Sequence, residues 1–141
     1  MSMSPGRTIG IKDLHSACDT KFWELVRAKQ AIAKALGMMQ MDPDCSRTTV
    51  QKIREHLTEV RFSEHLGDVG TQPGRYATSR KINSTVRLVW GYIRQARKRS
   101  SEFESDQSYD NLWGAYQALM DAEQNFLVLL EMINEELSNQ L

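Results

Sequence analysis

The chain has 141 residues, of which 40% are apolar and 26% are charged, and its formal net charge is zero. A chain of this length can bury a core without disulfide or metal support, and this composition is too apolar for intrinsic disorder. The zero net charge argues against binding of the molecule as a whole to nucleic acid or to a membrane surface. We expect a flexible segment over residues 1–10 and a single folded domain over 11–141.

The cysteine content and the apolar runs limit the expected compartment. The two cysteines, Cys18 and Cys45, are too few for a disulfide framework or a zinc set. Residues 1–10 lack the apolar stretch of a signal peptide, and no apolar run is long enough to span a bilayer. The sequence therefore predicts a cytoplasmic protein without a membrane partner.

The first half of the chain contains two helical patterns. Apolar residues recur at threes and fours over 11–39, and Pro43 ends this pattern because it disfavours helix at Asp42. A second pattern covers 46–66, with Asp44 or Ser46 as its N-cap. The segment 67–76 then holds three glycines and a proline, which is typical of a loop.

The second half contains two further helical patterns. The third covers 78–99, and the fourth begins at Asp106 or Ser108 and continues to 138 with an unbroken repeat of threes and fours. The predicted seam of this fourth helix consists of Tyr109, Leu112, Tyr116, Leu119, Glu123, Phe126, Leu130, Ile133 and Leu137. Together the patterns predict an all-α fold, a four-helix antiparallel bundle with long helices and short loops.

The zero net charge conceals a strong segregation of charge. Residues 69–101 carry eight cations and no acid, whereas residues 100–141 carry nine acids and no Lys or Arg. The favoured interpretation is that helix three lies beside helix four and that opposite charges flank their shared seam.

The alternative interpretation is a basic surface that binds phosphates. At 100° per residue, cations seven residues apart form one stripe on a helix. Such stripes contain Arg80, Arg87, Arg94 and Lys98 on helix three, and Arg47, Arg54 and Arg61 on helix two. Two Arg stripes on adjacent helices predict a nucleic-acid-binding bundle as the second candidate function, although no known recognition motif accompanies them.

Glu123 is the only polar residue in the predicted seam of helix four. A buried carboxylate needs a cationic or hydrogen-bonding partner, so Glu123 marks a possible buried polar site. The functional interpretation is a small-ligand pocket or an enzyme with a buried carboxylate, which is the third candidate function. The structural interpretations, favoured here, are an ion pair that fixes helix register or drift of the seam towards solvent.

The tryptophans lie on the shoulders of the apolar faces rather than at their centres. Trp is enriched at the anchor points of protein interfaces, and a glycine inside a helix invites a reason such as close helix approach. The candidate interface residues are Trp23, Trp90, Gly91, Trp113, Gly114, Met120 and Leu127.

No nucleophile, phosphate-loop or metal motif occurs in the sequence, and no Glu-x-x-His accompanies its three histidines. We therefore expect no metal and no cofactor, and an enzyme only as the lesser alternative. The sequence predicts foremost a non-enzymatic interaction protein, either a homodimer or a module that docks a protein partner.

Overall fold

Four α-helices form the computed structural model, which describes residues 10–58, 80–103 and 105–139. They are α1 (Ile11–Met41), α2 (Arg47–Leu57), α3 (Arg80–Glu102) and α4 (Tyr109–Asn139). The predicted all-α helical bundle is confirmed. The described helix α2 has 11 residues and is much shorter than the predicted helix over 46–66. The part of that prediction beyond residue 58, like the segment 1–9, lies outside the described residues.

A dense set of hydrogen bonds builds the turn between α1 and α2. Ser46 is the N-cap of α2, and its Oγ accepts from the backbone N–H of Thr49 at 3.4 Å. Asp42 Oδ2 in turn accepts from the backbone N–H of Ser46 at 3.0 Å and from its Oγ at 2.8 Å. Cys45 adopts a positive φ of 51°, which lets the chain reverse between the two helices.

Hydrogen bonds and a buried aromatic ring fix the turn between α3 and α4. Ser108 accepts at its Oγ from the backbone N–H of Asn111 at 3.3 Å, as an N-cap residue does. The Nδ2 of Asn111 donates to the backbone oxygen of Asp106 at 2.7 Å. Phe103, at the start of this turn, has no exposed surface and belongs to the apolar core.

The helix α4 is central, because it packs closely against both α1 and α3, while α2 packs against α1. The α1–α4 pair is antiparallel: Gln40 donates to the hydroxyl of Tyr109 near one end, and Phe22 contacts Phe126 edge-on near the other. This register sets which residues of α1 and α4 lie level with each other.

The α3–α4 pair is also antiparallel. Thr85 near the start of α3 donates to the sulfur of Met132 near the end of α4, at 3.8 Å. The side chain of Arg99, near the end of α3, lies over Gly114, near the start of α4. These contacts lie on the side of α4 opposite to α1, so α4 is buried over a broad arc.

The breadth of that arc shifts the buried seam of α4. The fully buried positions include Ala115, Ala122 and Leu129, whereas the predicted seam residues Tyr109 and Leu130 are exposed and half-buried. A straight helix drifts about 20° per heptad from a strict seven-residue repeat. Because α4 has a neighbour on either side, its buried positions shift towards α3, and small alanines occupy several of them. One apolar core draws residues from all four helices.

Candidate interaction surfaces

An apolar stripe runs along the outer side of α4. Trp113, Met120 and Leu127 are seven residues apart and are exposed over 41%, 37% and 51% of their surface. Residues at this spacing lie on one face of a helix. This stripe is distinct from the core seam, because Leu119 and Phe126, one residue earlier than Met120 and Leu127, are fully buried.

A fourth exposed apolar residue lies on the neighbouring helix. Trp23 of α1 is 58% exposed, and in the antiparallel register of α1 and α4 it lies level with Leu127. Its ring meets that of Phe22 edge-on at a centroid distance of 5.7 Å, and Phe22 contacts the core residue Phe126 in the same way. We call the set of Trp23, Trp113, Met120 and Leu127 the Trp face.

The α1 side of this surface is built from small residues at the level of Trp113. Gly37 lies level with Trp113, and no atom comes within 4 Å of the position that a Cβ at Gly37 would occupy. Ala33, one turn earlier in α1, is exposed. Trp113 itself stacks on Tyr116 with a centroid distance of 5.8 Å and an interplanar angle of 18°. The Trp face therefore has a bulky edge on α4 beside a shallow shelf on α1.

Glu123 lies at the margin of the α1–α4 contact rather than in the core. Its Oε1 and Oε2 lie 3.0 and 2.9 Å from the Nζ of Lys29, and both side chains are 23% exposed. Ala122 takes the buried position beside it. Two open surface depressions, of about 830 and 590 Å³, are lined by other residues. The carboxylate therefore has a cationic partner and a route to solvent, which supports the structural interpretation of this residue.

The remaining candidate interface residues are apart from the Trp face. Trp90 of α3 is half-buried against the core. Gly91 is exposed, and no described atom lies within 4 Å of the position that a Cβ at Gly91 would occupy. Among the residues that the structure describes, no helix approaches Gly91 closely, so the suggested reason for this glycine is not found there. Gly114 does have a packing reason, because the Nε of Arg99 lies 3.4 Å from the position of its Cβ.

The basic residues of α3 do not pair with the acids of α4. Within residues 10–58, 80–103 and 105–139, no Lys or Arg of α3 forms an ion pair with a carboxylate of α4. The helices pack together as expected, but the expected flanking ion pairs are not formed there. The exposed cations of α3 are Arg80, Lys81, Arg87, Arg94, Arg97, Lys98 and Arg99.

The cations of α2 form no continuous surface with those of α3. Arg47 is exposed and Arg54 is half-buried, and both line the depression of about 830 Å³ beside α2. The closely packed helix pairs of the described chain do not include α2 with α3. Arg61, the third member of the predicted stripe on helix two, lies outside the described residues.

The sequence patterns missed a buried lysine on α1. Lys21 is only 7% exposed and lies on the core side of its helix, one turn from Cys18. Burial raises the pKa of the Cys18 thiol to about 12, partly opposed by the positive charge of Lys21. The signal was present, since Lys21 continues the apolar spacing of Leu14 and Cys18, but a lysine at such a position is normally assigned to the surface.

Neither a metal centre nor a membrane span is found in the described part of the chain. No group of three or more His, Cys, Asp or Glu residues there is arranged to hold a metal ion. None of the described helices combines the length and the apolarity needed to cross a bilayer. Comparison with protein-family models, with curated proteins and with solved structures found no match.

Proposed function

We propose that this protein is a non-enzymatic helical interaction module that self-associates through the Trp face. The observation that carries the proposal is the exposed heptad stripe of Trp113, Met120 and Leu127 beside a fully buried seam on the same helix. A helix that is apolar on two faces needs a second layer to cover the outer face. Large contiguous apolar surfaces on a protein mark interaction sites.

A second copy of the chain fits this face better than an unrelated helix. If the two-fold axis runs parallel to the helices, α4 of one copy meets α1 of its partner at the same level. Trp113 then meets the shelf at Gly37, and Trp23 meets Leu127. Bulky groups opposite small ones in both halves give the self-complementary surface that a two-fold dimer requires.

The size of the face suits a stable dimer. Two adjacent helices are about 20 Å wide, and helices of this length are about 46 Å long, which gives a footprint of roughly 900 Å². A standard interface buries about 800 Å² per partner. The apolar part between Trp113 and Leu127 is about 21 Å long. Polar residues continue the same face beyond Leu127, among them Glu131 and Ser138. An apolar centre with a polar rim is the usual anatomy of an interface.

The test is the oligomeric state of the protein and of charged variants. Sedimentation equilibrium of the wild-type chain should give a dimer, and Met120→Glu or Leu127→Glu should shift it to monomer by at least tenfold in the dissociation constant. Val128→Glu is the matched control, because Val128 is 48% exposed on the same helix but lies about 100° from Leu127. Circular dichroism should show that all three variants keep their helices.

Two outcomes would contradict the proposal. One is a wild-type chain that stays monomeric at concentrations of about 100 μM, because this is far above the dissociation constants of stable interfaces of this size. The other is an equal loss of association in Val128→Glu and Leu127→Glu, which would mean that the Trp face is not the contact.

The free thiols of Cys18 and Cys45 are consistent with a reducing compartment such as the cytoplasm, which stays a prediction.

A further inference from the structure

The exposed basic side of α3 is a straight, rigid row of cations. Arg80, Arg87, Arg94 and Lys98 lie within about 40° of one another around the helix and extend over about 27 Å along it. All four are exposed, and we call them the Arg stripe. The opposite side of α3 anchors the row in the core through Ile82, Val86, Val89, Ile93 and Ala96.

The stretch that carries the row contains no acid, and the first acid after it is Glu102, one turn beyond Lys98 at the end of α3. Residues 69–101 contain no Asp or Glu. Two residues of α3 that contact α4, Thr85 and Arg99, lie about 100° or more around the helix from the Arg stripe. Among the described residues, none of the four cations has a carboxylate partner, so the Arg stripe forms no direct ion pair with the carboxylates of α4.

A row of arginines on a rigid helix suits a polyanion with regularly spaced charges. Guanidinium groups bind phosphate oxygens in a planar, bidentate manner, and lysine binds them as a point charge. A membrane surface is less suitable, because a helix that binds an anionic bilayer also inserts an apolar face. The apolar face of α3 is buried in the bundle.

We propose that the Arg stripe binds the phosphate backbone of a nucleic acid. The contacts are electrostatic and independent of base sequence, since no residue of the stripe is placed by a recognition motif. Affinity therefore depends on salt, with about 0.9 counterions released per phosphate contact on duplex DNA. This surface is separate from the Trp face, so the two proposals stand or fall independently.

The experiment is fluorescence-anisotropy titration of the full chain with a labelled duplex and with the corresponding single strand, each made as DNA and as RNA. The wild-type chain should bind the duplex at low salt with a slope of about −4 in log affinity against log salt. The variant Arg80→Gln/Arg87→Gln/Arg94→Gln should weaken binding at least tenfold and reduce the slope to about −1.

The matched control removes the same charge elsewhere. Arg47→Gln/Lys52→Gln/Lys81→Gln replaces three exposed cations that lie off the Arg stripe. This control should keep most of the affinity and most of the slope. Sedimentation of both triple variants should give the wild-type oligomeric state, which separates a loss of phosphate binding from a loss of self-association.

Three results would overturn the proposal. The first is the absence of binding to any of the four nucleic acids at low salt. The second is an equal loss of affinity in the two triple variants, which would mean that only total charge matters. The third is binding to anionic phosphatidylserine vesicles but to none of the nucleic acids, which would assign the stripe to a membrane surface.

Discussion

The helices α3 and α4 pack along each other, yet their outer sides have opposite chemistry. The outer side of α3 carries the Arg stripe, and the outer side of α4 carries the exposed residues Trp113, Met120 and Leu127 in a helix without any cation. The contact between them is apolar. Charge segregation along a sequence therefore does not imply charge pairing in the fold, because packing and solvent exposure choose different sides of the same helix.

The largest expected effect tests whether apolar burial, rather than charge pairing, holds the helices of the bundle together. Phe126→Ala should lower the free energy of unfolding by about 3 to 5 kcal/mol, and Ile93→Ala by about 2 to 5 kcal/mol, because both side chains are almost fully buried. By contrast, each Arg→Gln change in the Arg stripe should cost less than about 0.5 kcal/mol. Urea denaturation measures all of these. If the Arg variants lost several kcal/mol of unfolding free energy, charge pairing rather than apolar burial would be the main source of stability.

Two glycines distinguish the Trp face from the basic side of α3. Gly37→Leu and Gly91→Leu should each raise the stability of the fold by about 0.5 to 1 kcal/mol, since both glycines lie inside helices with open space at Cβ. Only Gly37→Leu should weaken self-association, by at least tenfold, because it fills the shelf opposite Trp113. Thermal unfolding and sedimentation equilibrium provide the two readouts. Unchanged association in Gly37→Leu would remove the shelf from the interface.

The ion pair between Lys29 and Glu123 is at the α1–α4 contact, not at the α3–α4 contact. A double-mutant cycle on Lys29→Met and Glu123→Gln should give a coupling energy of about 1 kcal/mol, since the pair is only partly exposed. The same cycle on Arg94 of α3 and Asp121 of α4, which form no ion pair, should give a coupling energy of about zero. Equal couplings would mean that long-range charge interactions act across both contacts.

The smallest expected effect lies in the turn between α1 and α2, where a carboxylate does have partners. Hydrogen bonds from the side chain of Thr49 and from the backbone and side chain of Ser46 lower the pKa of Asp42 below its usual value. A lowered folded-state pKa stabilises the fold above the unfolded-state pKa, and this contribution is lost as the pH falls. Urea midpoints of wild type and Asp42→Asn should therefore differ at pH 6 and converge towards about pH 2.

Much of the fold follows from local sequence signals. The spacing of Leu14, Cys18 and Leu25 predicts the buried side of α1, and Ser46, one of the two predicted caps of helix two, is the N-cap of α2. The candidate surfaces are predicted less well. The exposed stripe of Trp113, Met120 and Leu127 follows from the heptad spacing, but the shelf at Gly37 does not, because it depends on the register of α1 against α4.

Whether a charged residue is buried could not be derived from its position in the apolar pattern. The apolar pattern includes Glu123 in the seam and omits Lys21, because a lysine is normally assigned to the surface. Yet Glu123 is half-buried with Lys29, while Lys21 is nearly fully buried. A helix with neighbours on both sides is buried over a wider arc than a single seam. Which flank is buried depends on the neighbours, and that information is not local to the helix.

The sequence by itself determined the helical class, the segregation of charge between residues 69–101 and 100–141, and the spacing of the Arg stripe. These are consequences of residue type at a period of 3.6, which acts within one helix. Only the tertiary structure decided that the Arg stripe lies away from α4 and that Trp23 lies level with Leu127. Helix-to-helix register is set by side-chain packing between distant segments, and no local pattern encodes it.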